Sequence, residues 1–476
     1  TLTGIGSHDW FPAVCGFGTS STKTINFGQL KATSTTYADA NGHGSFKYSV
    51  PSGFLAMCTA NLPDPAINFP DKHFDTVLYT GDGNSTGSQS NVLEFQPDWL
   101  WSKPRNAAYV HLLYDSVRGA GSGKALNLAG GTSPGAGTEG AAADNATYGY
   151  LNSFDANGFS YTNGSATTTY FNQSGINYVT WTWNAGDTDG KTYTVKVVSD
   201  SGNKYRFDDF GTSAVTLDLA EGGTYIFDQS DSSNAGHPLR FSTTSNGTHG
   251  GGTEYTTGVT TAGTPGSSGA YTQIVVAASA PTLYYYCSVH SGMGGQANTN
   301  STLGSSNFDG SVQTVVKANP TAGFSIISFT SQSGAFSNGH GLGVAPELII
   351  SKSRTTNGGP WYAFTTAIDG GIDYLSLNTT AAAAAAEGFG MAVPTSTVVN
   401  NNSNFLYTSG TVIQYCFSSV AGFSKVGSYA PNGSADGNFI FLGFAPAFFL
   451  IKNTHTTRNW LIFDNKRNTS NERTIN

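Results

Sequence analysis

Apolar and polar residues alternate along much of the chain at a period of two. Tyr178-Val-Thr-Trp-Thr-Trp and Lys191-Thr-Tyr-Thr-Val-Lys-Val-Val are clear cases. That period sends successive side chains to opposite faces of a strand. Shorter runs, Trp99-Leu-Trp, Leu348-Ile-Ile and Phe448-Phe-Leu-Ile, are apolar throughout. They predict central strands buried on both faces. Turn-forming Gly, Ser, Asn and Pro separate the runs.

The runs recur in a fixed order. One segment goes from Phe74 through Pro97 to Lys103, a second from Phe324 through Pro346 to Lys352, and a third from Phe423 through Pro446 to Lys452. Each has an opening alternating strand, a Pro where the next strand begins, an apolar strand and a Lys. An aromatic strand follows: Tyr109-Val-His-Leu-Leu-Tyr, Trp361-Tyr-Ala-Phe or Trp460-Leu-Ile-Phe. Proline is tolerated at a strand start because no ladder N–H is lost there. The Lys is expected to mark the strand's exit to solvent. The first copy closes with Tyr178–Gly186 and the second with Ile413–Gly422. The third stops at Asn476 short of a closing strand, so it is expected to pair with another chain or to be a stub.

About 130 residues of different character separate the first two copies. Val215-Thr-Leu-Asp-Leu, Thr224-Tyr-Ile-Phe, Leu239-Arg-Phe-Ser, Thr272-Gln-Ile-Val-Val and Leu283-Tyr-Tyr-Tyr-Cys follow one another between turns, which predicts a β-sandwich of its own. The expected organisation is an N-terminal strand region at 1–50 and a Pro-rich connector at 51–73. Repeat modules follow at 74–187, 319–422 and, in part, 423–476, with the inserted sandwich at 188–318. The fold class is all-β, as tandem β-sandwiches.

Composition supports this and narrows the function. Charged residues make up 11% of the chain, against about 25% in ordinary globular proteins. Aromatics at 13% are enough for several cores, and a disordered chain lacks them. A helical bundle and a doubly wound α/β enzyme are excluded. The net charge of −8 leaves no basic stripe for nucleic acid. No apolar run approaches the ~20 residues of a membrane helix. Thr1 in place of an initiator Met reads as a processed or truncated end. Of the four cysteines, Cys15, Cys58 and Cys416 read as small buried apolar residues.

Cys287 has different neighbours. Gly236-His237-Pro lies just before one strand of the insert, and Cys287-Ser-Val-His290-Ser-Gly-Met293 ends another. A thiolate, two imidazoles and a thioether are the donors of a blue-copper centre, three strong ligands with a weak axial Met. The same residues also read as a packed loop without metal. Asp187-Thr-Asp-Gly and Asp228-Gln-Ser-Asp offer oxygen ligands that could bind Ca²⁺ but read as plain turns, as does the glycine-rich Gly119–Lys124, and no catalytic constellation is placed.

On those residues the insert resembles the cupredoxins, closest to the amicyanin-like short Cys-x-x-His-x-x-Met loop. The resemblance implies His237, Cys287 and His290 as strong copper ligands and Met293 as the axial one. Phe95-Gln-Pro-Asp-Trp-Leu-Trp-Ser-Lys103 and Leu113-Tyr-Asp-Ser-Val-Arg-Gly119 resemble modules of structural proteins of tailed phages, especially those of marine bacteria. Trp10-Phe-Pro-Ala-Val, Asn26-Phe-Gly-Gln29 and Pro51-Ser-Gly-Phe54 resemble the last strands of a SPRY-type concanavalin-like sandwich. The implied function is a non-enzymatic virion component, a tail fibre or appendage outside the cell. Its implied partners are other virion proteins, further copies in a homotrimer, and host-surface glycans. The alternatives are a secreted or surface copper protein of cupredoxin type, working in electron transfer or metal capture, and a bacterial extracellular filament or adhesin.

Overall fold

The computed structural model describes residues 36–61, 65–90, 92–128, 138–140, 144–166, 170–186, 190–299, 303–355, 359–434, 437–438 and 440–467. The expected strands at Trp10–Val14 and Thr24–Gln29, Cys15, and the Asp187 turn lie outside these residues. The chain divides into two units, 1–65 and 66–476. In the first, a bridge joins Tyr37 to Phe46. The Asp39 carboxylate accepts from the N–H groups of Asn41, His43 and Ala56 and from the Asn61 amide. Burial raises the Asp39 pKa, but these hydrogen bonds outweigh it and bring the group down to about 2.

The larger unit is all-β apart from short helical turns, and its first repeat is a two-sheet sandwich. Its strands are β1 (Phe74–Thr80), β2 (Thr86–Gln89), β3 (Trp99–Pro104), β4 (Leu112–Asp115), β5 (Leu126–Asn127), β6 (Tyr150–Asp155), β7 (Gly158–Thr162) and β8 (Asn177–Trp183). The main sheet runs β1-β8-β3-β4-β5, and β2-β7-β6 cover one of its faces. Leu100, Leu112, Tyr114, Leu151 and Phe159 fill the space between.

The insert is a second sandwich. It holds β9 (Gly190–Ser199), β10 (Asn203–Phe207), β11 (Leu217–Asp218), β12 (Thr224–Asp228), β13 (Leu239–Ser242), β14 (Glu254–Tyr255), β15 (Val259–Ala262), β16 (Tyr271–Val275), β17 (Leu283–Cys287) and β18 (Gly295–Asn298). The sheets run β10-β9-β12-β16-β15 and β11-β18-β17-β13-β14. Tyr193, Phe207, Phe227, Phe241 and Tyr285 pack between them.

The second repeat comprises β19 (Ser305–Asn307), β20 (Thr314–Asn319), β21 (Phe324–Thr330), β22 (Ala335–Gly339), β23 (Leu348–Ser353), β24 (Tyr362–Thr365), β25 (Asp373–Ser376), β26 (Ala384–Ala385), β27 (Val398–Asn402) and β28 (Thr411–Phe417). Its main sheet runs β19-β20-β21-β28-β23-β24-β25-β26. Within it, β21-β28-β23-β24-β25 reproduces the order of the first repeat strand for strand. β19 and all of β20 but Asn319 lie ahead of residue 319, yet they hydrogen-bond into this sheet, while Tyr193 of the insert donates to Ser306 O of β19 at 2.8 Å. In the third repeat, β29 (Phe448–Ile451) and β30 (Leu461–Asp464) pair with each other. Its opening segment at Phe423 forms only an isolated bridge between Val420 and Ser424. Opening strands need a closing strand beside them, as β1 has β8 and β21 has β28. Among the described residues the third repeat supplies none.

The repeats are not beads on a string. One core holds Trp99, Trp101, Trp181 and Trp183 from the first, and Phe324, Ile350, Trp361 and Tyr415 from the second. Phe448, Leu450, Trp460 and Ile462 of the third pack against it. Trp99 stacks on Tyr415 with centroids 4.4 Å apart, and Phe74 meets Phe448 at 5.4 Å. Polar contacts lock the same junctions. The Tyr415 hydroxyl donates to Asp115 Oδ2 at 2.7 Å, and Trp181 Nε1 donates to Asp464 Oδ2 at 3.0 Å. Each acceptor carboxylate is also held by the arginine three residues on, Arg118 or Arg467. Arg354 of the second repeat reaches Glu139 of the first at 2.6 Å, and Glu139 also pairs with Arg118 at 3.3 Å.

In the second repeat the recurring lysine does not mark an exit to solvent. Lys352 is fully buried, and its ammonium donates to the Gly359 carbonyl. Lys103 donates to the carbonyls of Ala107 and Tyr109, and Lys452 to those of Thr380 and Arg458. Each lysine ties off the loop that follows its own strand. At Lys352, where the Gly359 carbonyl is buried, the carbonyl needs such a donor, and the bond offsets the cost of desolvating the ammonium.

Candidate metal centre

His237 and Cys287 meet because their strands pair. β13 and β17 run antiparallel with Leu239 opposite Cys287, and Ser288 N donates to Pro238 O at 3.1 Å just beyond. His237 therefore stands beside the end of β17. Gly236, with φ of 76°, makes the turn before it. The His237 carbonyl accepts from the Tyr205 hydroxyl and from Gln229 Nε2, each at 2.8 Å. The buried Gln229 also accepts from Leu239 N at 3.1 Å. The backbone of this ligand candidate is thus fixed from two sides.

The loop after Cys287 folds back on the sulfur. His290 N donates to Cys287 Sγ at 3.3 Å, a bond that steadies a thiolate. Asn246 donates to Ser291 Oγ and accepts from Gly292 N, both at 2.8 Å. His249 Nε2 lies 3.0 Å from the Cys287 carbonyl. Gly294 cannot be replaced without movement, since a Cβ there would lie 1.7 Å from Tyr285 O.

The result is a convergent donor set. Cys287 Sγ is buried, and it lies 3.8 Å from His237 Nδ1 and 3.8 Å from His290 Nδ1. All three donor atoms fall within 4.8 Å of one another. With metal–nitrogen and metal–sulfur bonds of about 2.0 and 2.3 Å, donors about 120° apart are separated by about 3.8 Å. The three residues therefore fit a trigonal ion. Burial, with the neighbouring His290, lowers the His237 pKa and keeps its imidazole neutral, as a ligand must be. His290 is exposed, so one edge of the centre reaches the surface. Met293 is buried in the same core as Cys287, three residues beyond His290.

Sequence reading missed Gln229, Asn246 and His249. They lie in turn-rich stretches, and their roles depend on which loops the sandwich brings together. The Asp228–Asp231 stretch is a turn: Asp228 accepts from Ser230 N, and Asp231 caps the Ser232–Asn234 turn. Among the described residues, the His237–Cys287–His290 group is the cluster of histidine, cysteine and carboxylate side chains close enough to hold an ion.

Fold and site together define a protein of tandem β-sandwiches, one of which carries a His–Cys–His pocket. The chain belongs to the family described as a domain of unknown function, DUF7483, whose profile matches residues 69–219 and 297–476. All four ligand candidates fall in the stretch between, which the profile does not match. No curated protein and no solved structure matches the chain.

Proposed function

We propose that the chain is a non-enzymatic structural protein that holds one copper ion in its inserted sandwich. His237, Cys287 and His290 are the strong ligands and Met293 the weak fourth. The observation that carries the copper reading is the 3.8 Å spacing of both imidazole nitrogens from one buried sulfur. Imidazole and thiolate donors select copper over the hard cations, which take oxygen. A structural zinc would want four strong donors in a closed tetrahedron, and the cluster offers three. The test is a titration with Cu(II), followed by visible absorption and electron paramagnetic resonance. One equivalent per chain and an intense thiolate-to-copper band are expected, with the band lost in Cys287→Ser and kept in Met293→Leu. No band, or an undiminished band in the serine variant, overturns the reading.

A structural role is favoured by the core shared among the repeats, which joins them into one body. With the phage-like motifs around Phe95–Lys103, this suggests a virion appendage that braces the particle or meets the host surface. Antibodies against the chain should then label intact particles in electron micrographs. Labelling confined to cell debris would remove that reading and leave the copper site standing.

A further inference from the structure

One position recurs in all three repeats, just before the aromatic strand. In the second it holds Trp361, whose indole N–H donates to the Asn127 carbonyl of the first repeat at 2.8 Å. In the third it holds Trp460, which donates to the Ser376 carbonyl of the second at 2.9 Å. In the first repeat the position before β4 holds His111. An imidazole is smaller than an indole, and beside it the packing opens.

Two lobes meet at this ring. One, of about 550 Å³, reaches Lys103, Arg105, Trp181 and Arg467. The other, of about 400 Å³, reaches Leu128, Leu377, Leu450 and Leu461. His111, Trp460 and Ile462 line both, so the lobes form one cleft. Spaces of this size hold small molecules.

The first lobe presents donors and positive charge. Lys103 commits two of its three N–H groups to the Ala107 and Tyr109 carbonyls, which leaves one. Arg467 commits Nε to Asp464 and Nη2 to the Ile462 carbonyl. The exposed Arg105 side chain has no partner among the described residues. His111 Nδ1 accepts from Trp101 Nε1 at 2.9 Å, so the neutral ring carries its proton on Nε2. Lysine and arginine cannot accept, and among the described residues no carboxylate lines either lobe. After burial, the charges of Lys103 and Arg467 lower the His111 pKa, a sign of the positive field there.

The second lobe has no charged side chain. Its indoles offer only their rings, since Trp101 Nε1 is bound to His111 and Trp460 Nε1 to Ser376. Asn378 Oδ1 already accepts from Trp361 N, and Thr379 Oγ1 from Ala381 N. A sugar, with hydroxyls all round its ring, would leave many of them unpaired here. Leu461, 51% exposed, opens the lobe to solvent.

We propose that this cleft binds an amphipathic carboxylate of medium chain length. Its anionic head lies among Lys103, Arg105 and Arg467, in reach of His111 Nε2–H, and its alkyl chain fills the leucine-lined lobe. The site is separate from the copper centre and does not depend on it.

Isothermal titration calorimetry of the full chain with decanoate, below its micelle concentration, tests this. One molecule per chain is expected. Decanol, which lacks the charge, and acetate, which lacks the chain, should each bind at least about tenfold more weakly. Arg105→Glu and Leu461→Asp alter one exposed side chain in each lobe, so the fold should keep its circular dichroism, and each should weaken decanoate at least about tenfold. Cys287→Ser should leave the affinity unchanged. The absence of saturable heat with decanoate overturns the proposal. Decanol binding as tightly as decanoate also overturns it, and so does full affinity in either cleft variant.

Discussion

His111 shows how one side chain can be chosen by its surroundings. Burial, then the charges of Lys103 and Arg467, lower its pKa to about 4. The unfolded chain, with an ordinary histidine near 6.5, binds more protons between these values, so stability rises with pH across that window. The contribution is fully present above pH 6.5 and is lost as pH falls through 4. It amounts to on the order of 3 kcal/mol. Denaturant titrations from pH 7 to 4 should show a loss of about this size, and His111→Phe should flatten the slope over the same range. An unchanged slope would mean the ring titrates normally. The gathering of His237, Cys287 and His290 was legible in the sequence because these residues, with Met293, combine scarce types with a short spacing. The environment of His111 was not, because it depends on Trp101 beside it and on Trp460 and Arg467, brought in from the third repeat.

Strand β8 illustrates what alternation reveals and conceals. Val179, Trp181 and Trp183 face the shared core, as the pattern suggests. Thr180 and Thr182 are fully buried too, on the other face. Their hydroxyls are satisfied by Ser102 Oγ at 3.0 Å and by the Asp75 carbonyl at 2.9 Å. Period two thus announced a strand and its two faces, but threonine on one face did not mean water there. The order of strands was not written in the pattern either, since any aromatic strand could have lain beside any other. Trp361→Phe keeps most of the ring and removes the bond to Asn127. Thermal unfolding should show a loss of about 1–3 kcal/mol, the cost of a buried carbonyl left without a donor. In the inserted sandwich, where a Cβ at Gly294 would meet Tyr285 O, Gly294→Ala should weaken copper uptake at least tenfold while leaving the β13–β17 pairing intact by circular dichroism.

At the scale of the molecule, the shared core and the inserted core are two distinct clusters of buried side chains within one unit. Repeat-to-repeat contacts involve the largest aromatic side chains, whereas the insert packs around its own tyrosines and phenylalanines. A fragment spanning 190–310 should fold alone and give the copper band. A fragment spanning 311–422 bares Phe324, Ile350, Trp361 and Tyr415 and should aggregate or unfold. In the whole chain, Trp99→Ala should cost about 3–5 kcal/mol and lower the melting of both repeats together. The copper band should survive that change. Separate melting of the first and second repeats in differential scanning calorimetry would contradict the shared core.

Covalent linkage of the repeats also frees them from sameness. In an assembly of three identical subunits every junction is a copy of the others, and any insertion appears three times. Here Asp115 and Asp464 receive a hydroxyl and an indole from neighbouring repeats, while Thr365 occupies the matching place in the second. Each seam can drift independently, and a long insertion between two modules is made once. The stoichiometry follows: among the described residues, one His–Cys–His pocket serves a whole set of repeats, whereas three separate subunits would carry three.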